Sequence, residues 1–380
     1  MKTLHGLDVR TGQPIALTFD RAIESIEQRA SGDESYLAPG WIDLQVNGFG
    51  GVDYNTPNVP IDDLARSIDA LLSTGVTRAW PTVITAAPEA ICAALANLAA
   101  ARETLPLGDV FDGFHVEGPH ISPDDGPRGA HPRAWVRAPD VDELARWQDA
   151  AQGHLRMVTL APEWPGATRY IEAAVARGVV VAIGHTAATS AQLADAVSAG
   201  ATMSTHLGNG AHAVMRRHPN YIWDQLADDR LAASFIVDGI HLPASFLTVA
   251  IRAKGVGQSV LVTDASAPAC AMPGRYHLGD QPIDLTPDGR VVLAGGDRLA
   301  GSALRLDHAI ASVMRLAGVS LADAVTMATI NPANAGRVEG RVQGLAVGER
   351  ADLVRFRVDP ADGSVHVEET YLAGERVFRG

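Results

Sequence analysis

Two kinds of segment alternate through the middle of the chain. Short runs rich in Val, Ile and Thr, typical of buried strands, are followed by longer alanine-rich segments whose apolar residues recur at helical spacing. The pattern predicts eight strands, at 41–47, 77–83, 111–117, 155–161, 179–185, 201–206, 232–238 and 259–264. It predicts helices at 61–73, 88–102, 141–150, 167–177, 190–198 and 243–253, and a last pair at 303–315 and 321–330.

The repeated strand–helix unit decides the fold class. Eight such units over roughly 300 residues predict an α/β protein with a closed, TIM-like (β/α)8 barrel, because each unit adds one parallel strand. A Rossmann-like open sheet is the alternative, but no GxGxxG opens a helix after the first strand. The glycines of GFGG at 48–51 lead into VDYN, which is a poor helix start.

The two chain ends differ from the middle. Residues 1–38 and 343–380 carry short alternating patterns and turns, and neither end is long enough to fold alone. Because chain ends often lie close together in space, we expect them to form one small β-sandwich. The barrel then occupies residues 39–342.

Composition and charge exclude several classes of function. The chain has 31 Lys and Arg against 44 Asp and Glu, a net charge of −13 with no basic stripe, which argues against a nucleic-acid partner. The two cysteines, Cys92 and Cys270, form no CxxC pair, which favours a reducing, cytoplasmic compartment. No apolar stretch approaches about 18 residues and the N-terminus lacks a signal-peptide core, so we expect no membrane association.

Four polar residues stand at the ends of predicted strands. The carboxyl ends of barrel strands meet at one face, where such enzymes carry their active sites. There the chain places Glu117, His185, His206 and Asp264, on four different strands. A glutamate with two histidines is a zinc-type ligand set that leaves a position for water, and Asp264 can then act as the general base.

One metal ion is favoured over two. A binuclear site of this kind usually needs an HxH motif on the first strand and a carbamylated lysine on the fourth. Here the first strand offers Gln45 and Asn47, whose neutral amides are weak ligands, and the fourth contains no lysine. We therefore expect one divalent ion per subunit, with zinc preferred and Fe, Co, Mn or Ni suited to the same donors. Gln45 and Asn47 are then free to bind substrate or water.

A series of motifs, in a fixed order, gives a family resemblance. The segments are PGWIDLQVNGFGGVDYN, TGVTRAWPTVIT, HVEGPH, RGAH, TLAPE, AIGHT, STHLGN, IVDGIH, LVTDA, LAGSAL, NPA and GERADLV. Together they resemble the N-acetylglucosamine-6-phosphate deacetylases of the amidohydrolase superfamily over most of the chain. The resemblance implies a metal-dependent barrel with a small β-sandwich. It also implies hydrolysis of N-acetylglucosamine 6-phosphate to glucosamine 6-phosphate and acetate.

The resemblance further implies roles for single residues. Glu117, His185 and His206 match the family's metal ligands, and Asp264 matches its catalytic acid/base. His131 matches the group that steadies the amide carbonyl. The positions that match substrate contacts are Ala130, Asn209, Gly210, Arg217 and His241.

Arg217 carries the prediction about assembly. It matches, without a gap from His206, a phosphate-binding arginine that in the family reaches a neighbouring subunit's site. The resemblance therefore implies a homodimer. Arg216 and His218 are rivals for the same role, and an arginine suits a phosphate because its planar fork bonds bidentately.

Three stretches depart from the family pattern and leave the substrate open: the run after His206, RRHPNYIWDQ from Arg216, and ASAPACAMPGRYHLGDQ after Asp264. The family's run after the second ligand histidine is close to HLFNAM, whereas this chain has HLGNGAH, with Gly208 in place of an aromatic and an added His212. We expect these positions to line the substrate pocket. An amidohydrolase acting on a different N-acyl or cyclic amide is therefore the alternative function. A catalytically silent binding protein on the same barrel is the third possibility, which the presence of Asp264 disfavours.

Overall fold

Strands and helices alternate along the chain in the computed structural model, which describes residues 1–30, 33–341 and 343–380. The predicted end of the barrel at residue 342 thus lies outside the described residues. The strands are β1 (Lys2–Asp8), β2 (Pro14–Phe19), β3 (Ile23–Gln28), β4 (Tyr36–Pro39), β5 (Trp41–Val46), β6 (Gly48–Phe49), β7 (Val52–Asp53), β8 (Val76–Ile84), β9 (Phe114–Glu117), β10 (Leu155–Leu160), β11 (Val180–Ile183), β12 (Met203–Ser204), β13 (Ala232–Phe235), β14 (Ser259–Leu261), β15 (Gly274–Leu278), β16 (Gln281–Leu285), β17 (Val291–Leu293), β18 (Leu353–Val358), β19 (Val365–Leu372) and β20 (Glu375–Arg379). The helices are α1 (Ile61–Ser73), α2 (Pro88–Thr104), α3 (Val141–Ala150), α4 (Ala167–Ala176), α5 (Ser190–Ser198), α6 (Tyr221–Ala227), α7 (Ala244–Lys254), α8 (Leu306–Ala317), α9 (Leu321–Ala328) and α10 (Ile330–Gly336).

The eight predicted strands form one parallel sheet that closes on itself. Its order is β14-β13-β12-β11-β10-β9-β8-β5. The first and last strands are joined by backbone hydrogen bonds, from the N–H of Asp264 to the carbonyl of Gln45 (2.9 Å) and from the N–H of Asn47 to the carbonyl of Ala265 (2.6 Å). The barrel prediction is confirmed, and the Rossmann-like alternative is wrong.

The helices cover the barrel with their apolar faces, as their spacing predicts. In α1 the residues at 64, 68, 71 and 72 are buried, and this spacing of three and four residues places them on one face. In α5 the hydroxyl of Thr189 accepts from the backbone N–H of Gln192, whose side chain accepts in return from the N–H of Thr189. None of the helices in the described ranges has the length and apolar character that crossing a bilayer requires.

Both chain ends fold into a single seven-stranded sheet, in the order β20-β19-β18-β4-β1-β2-β3. Phe19 on β2 packs edge-on against Tyr371 on β19, with ring centroids 5.4 Å apart. These strands are not neighbours in the sheet, so the sheet folds over a shared core. The small sandwich predicted from the two ends is therefore present, and the N-terminal part of the chain contributes β1 to β4 to it.

A three-stranded antiparallel sheet, β15–β17, lies between the eighth barrel strand and α8 and was not predicted. Leu278, Ile283 and Val291 of this sheet form a small core with Ile84 at the end of β8. The strands are short and partly exposed, so they carry no clear alternation. Their packing against Ile84 places the small sheet over the carboxyl end of the barrel.

Candidate metal centre and active site

Glu117, His185 and His206 meet at the carboxyl end of the barrel. The Oε1 atom of Glu117 lies 2.8 Å from Nε2 of His206 and 3.3 Å from Nε2 of His185, and the two Nε2 atoms are 3.1 Å apart. All three side chains are buried. Glu117 ends β9, whereas the histidines follow β11 and β12 by two residues, so the strand ends bring them together.

The donor atoms of this cluster fit a divalent metal ion. The Nδ1 atom of His185 lies 2.7 Å from the carbonyl oxygen of Pro127, and because a carbonyl only accepts, Nδ1 carries the proton. In the neutral ring Nε2 then presents a lone pair to the carboxylate of Glu117. Neighbouring ligands of a tetrahedral ion with bonds of about 2.1 Å are about 3.4 Å apart, close to the separations here. The cluster therefore suits one small cation held by two nitrogens and an oxygen.

The electrostatics of the cluster also favour a nearby positive charge. Burial lowers the pKa of His206, but the hydrogen bond to Glu117 and its charge outweigh burial and raise the pKa to about 9. Burial raises the pKa of Glu117, but the neighbouring imidazoles of His185 and His206 hold it well below its usual range. A buried carboxylate between two imidazoles is stabilised by a cation, which a proton or a metal ion supplies.

Three site residues have strained backbone. His185, His206 and Asp264 have φ angles of 51°, 29° and 48°, in the left-handed region that non-glycine residues seldom adopt. Such a conformation costs roughly 1–3 kcal/mol and persists where the surroundings enforce it. Here the N–H of His206 donates to the hydroxyl of Ser234 (2.8 Å), and the N–H of Asp264 donates to the carbonyl of Gln45 (2.9 Å). All three side chains line the site.

Two amides hold the carboxylate of Asp264. The side chain of Asn47 donates to Oδ1 of Asp264 (2.7 Å), and that of Gln45 donates to the same oxygen (3.1 Å) and to Oε1 of Glu117 (2.9 Å). Burial, followed by the charge of Glu117, raises the pKa of Asp264 to about 6. Gln45 thus links the two carboxylates. The substrate contacts predicted for Gln45 and Asn47 stay predictions.

His131 faces the same cluster and is paired with Thr85, which sequence reasoning missed. Its Nε2 lies 3.7 Å from Oε2 of Glu117, and its Nδ1 lies 2.8 Å from the hydroxyl of Thr85. Burial, helped by the charge of His185, lowers the pKa of His131 to about 3, so the ring is neutral. Thr85 directly follows β8, and the strand-end rule that finds Glu117 would also have found it.

These groups open into one pocket of about 240 Å³. It contains the cluster of candidate metal ligands, Asp264 and His131. It is also lined by the predicted contacts Asn47, Ala130, Asn209, Gly210 and His241. The Nδ1 atom of His241 is 2.7 Å from Oδ2 of Asp238, which orients the ring. Gln45 is 1% exposed and lies behind the pocket wall.

Two of the departures from the family pattern, Gly208 and His212, lie outside this pocket, contrary to expectation, whereas Gly210 and Leu278 line it as expected. Gly208 lines a neighbouring cavity together with His212 and Arg217. Its φ is 103°, and a Cβ there would lie 2.8 Å from the ring of Phe246, so that ring fills the space of the missing aromatic. The side chain of His212 bonds to the hydroxyl of Tyr221 (3.0 Å). Gly208 and His212 therefore belong to a cavity beside the site, whereas Asn209 and Gly210 of the same run line the pocket itself. The phosphate role of Arg217 stays a prediction.

Comparisons with known proteins agree with this geometry. The pattern that defines the amidohydrolase family matches residues 36–377. The chain is 36% identical over 380 residues to an N-acetylglucosamine-6-phosphate deacetylase of Bos taurus, covering 96% of this chain and 89% of that protein. It is 34% identical over 348 residues to an N-acetylgalactosamine-6-phosphate deacetylase of Escherichia coli O157:H7, covering 90% and 88%. A variant of the Mycobacterium smegmatis N-acetyl-D-glucosamine-6-phosphate deacetylase, solved in complex with N-acetyl-D-glucosamine-6-phosphate, superimposes with a TM-score of 0.88 at 32% identity over 98% and 97% of the two chains.

Proposed function

Because this chain belongs to the amidohydrolase family, we propose that it hydrolyses the acetamide of N-acetylglucosamine 6-phosphate to glucosamine 6-phosphate and acetate. One observation carries the proposal. The candidate metal ligands, a buried carboxylate and a neutral histidine converge on one pocket. The chain that carries them resembles these deacetylases over nearly its full length. Each group matches one need of amide hydrolysis.

The ligand set would hold one divalent ion, which would polarise the amide carbonyl and make a water molecule more acidic. Asp264 accepts the proton from the attacking water and then donates it to the leaving amine nitrogen. Asn47 and Gln45 both bond to Oδ1 of Asp264, which leaves Oδ2 for the proton transfers. The two amides also fix the carboxylate in the pocket, so it needs no rearrangement during the reaction.

His131 stabilises the charge that develops on the carbonyl oxygen. A neutral histidine donates from Nε2 only in the tautomer whose Nδ1 is unprotonated, and a hydrogen bond from the hydroxyl of Thr85 to Nδ1 would favour that tautomer. The buried Nε2–H then faces the oxyanion, where a fixed donor stabilises the developing charge. Thr85 is thus a positioning residue that acts through His131.

Replacing Thr85 with valine should lower kcat about tenfold or more, with KM and metal content little changed. The change removes the hydroxyl at nearly constant volume, so the ring of His131 loses the bond that selects its tautomer. Steady-state kinetics of acetate release measure the effect. Thr85→Ser keeps the hydroxyl and should restore most of the activity. A purely steric role for Thr85 would instead leave the valine variant active and the serine variant impaired.

The proposed function is tested by acetate release from a panel of substrates. The panel contains N-acetylglucosamine 6-phosphate, N-acetylgalactosamine 6-phosphate and both unphosphorylated sugars, each with zinc, iron, cobalt, manganese or nickel. We expect the 6-phosphates to give the highest kcat/KM. Activity confined to a non-sugar or cyclic amide would contradict the proposal and favour the alternative. Zinc as the metal and a cytoplasmic location stay predictions.

We also propose that the protein is a homodimer in which Arg217 binds the phosphate held by the neighbouring subunit. In support, Arg217 lies on a segment beside the site but does not line the pocket of its own subunit. Arg217→Ala should raise KM for the phosphorylated substrate about tenfold and leave KM for the unphosphorylated sugar unchanged. Arg216→Ala tests the rival for the same role and should leave both KM values unchanged, and sedimentation gives the oligomeric state. Equal effects on both substrates would remove the phosphate role.

A further inference from the structure

The pocket is acidic at its floor. Glu117 and Asp264 are buried there, and the whole chain carries a net charge of −13. Such a field opposes the approach of a phosphorylated sugar, so a cation close to the phosphate must offset it. The imidazoles, and the metal ion that they would hold, belong to the floor, where the acetamide would react. The other end of the substrate needs a cation of its own.

Arg298 is the only lysine or arginine among the described residues that line this pocket. Its side chain is exposed, so it lies at the mouth, whereas the metal cluster is buried. It follows β17 and lies just before Leu299 and Gly301, which also line the pocket. The small sheet over the barrel end therefore delivers this guanidinium to the site.

One hydrogen bond holds the guanidinium of Arg298 in place. Its Nη1 donates to the carbonyl of Gly129 (3.3 Å), which anchors the side chain beside Ala130 and His131. The nearby carboxylate of Asp125 pairs with Arg128 instead. An arginine has five N–H donors in a planar fork, so most of them stay open to an incoming anion.

We propose that Arg298 binds the 6-phosphate of the substrate from the chain's own side of the pocket. The inference rests on the proposed function, because it takes the substrate to be a sugar phosphate. With the acetamide at the buried metal cluster, the phosphate end points toward the mouth, where Arg298 meets it with parallel N–H donors. Arg298 is then a specificity residue for the phosphate, separate from any contact that a second subunit adds.

The test compares Arg298→Gln with Arg133→Gln. Arg133 is also exposed and close to Asp125 but does not line the pocket, so it controls for the loss of one surface charge. We expect Arg298→Gln to raise KM for N-acetylglucosamine 6-phosphate about tenfold, with kcat within about twofold of the parent value. The Kd of inorganic phosphate, measured by calorimetry on the metal-loaded enzyme, should rise by a similar factor. Arg133→Gln should change neither quantity.

Two results would overturn the inference. If Arg298→Gln lowers kcat and leaves KM and phosphate binding unchanged, the residue acts through Gly129 by holding the segment of His131. If KM and phosphate binding both match the parent enzyme, Arg298 does not meet the phosphate. If the parent enzyme shows no preference for the phosphorylated sugar, the result contradicts the proposed function itself and not only the role of Arg298.

Discussion

Replacing Asp264 with asparagine should lower kcat about 10²- to 10⁴-fold, the range that positioned acid–base groups contribute. Asparagine keeps the size of the side chain but can neither accept the proton of the attacking water nor return it to the leaving amine. Asp264 is held by Asn47 and Gln45 and bonds to no residue of the ligand set, so the metal content should stay at the parent level. Acetate release and metal analysis on the same sample measure both effects.

The matched control for this variant is Asp125→Asn, which removes an exposed carboxylate outside the pocket lining and should leave kcat unchanged. A variant Asp264→Asn with intact metal content and parent turnover would contradict the assignment of the acid/base. If metal content falls together with kcat, Asp264 takes part in holding the ion.

Replacing His185 with alanine should remove metal and activity together. Only Glu117 and His206 remain as protein ligands, and two ligands do not hold a divalent ion in a tetrahedral site. Since loss of a residue that merely supports a ligand costs about 10- to 100-fold, loss of a ligand should lower activity to below about a hundredth of the parent value. Metal content by elemental analysis should fall in parallel with acetate release.

His212→Ala is the control for this ligand variant, because His212 lies nearby but bonds to Tyr221 outside the pocket. It should keep both metal and activity. Removing the metal from the parent enzyme with a chelator should abolish activity, and adding a divalent ion back should restore it. Hydrolysis that survives complete metal removal would falsify the scheme.

Elements whose signals are local in sequence were predictable, whereas features that depend on residues distant in sequence were not. The barrel strands and α1, α3 and α5 were predictable, because their signals lie within a few neighbouring residues. The small sheet β15–β17 was missed, because its short strands become ordered by packing against Ile84, which is distant in sequence. Gly208 was misread for the same reason, since the ring that fills its place belongs to Phe246.

The sequence by itself determined the fold class and the residues of the metal cluster, because strand ends of a parallel barrel converge on one face. It also placed the proposed acid/base, Asp264, at a strand end and showed the absence of a basic stripe. Only the tertiary structure decided how these residues are held. Three features depend on contacts between segments far apart in the chain. They are the positive φ angles of His185, His206 and Asp264, the bond between Thr85 and His131, and the position of Arg298 at the pocket mouth. Local sequence patterns indicate which residues are buried and whether a segment is a helix or a strand. The orientation of a side chain in the site depends instead on the residues, distant in sequence, that surround it.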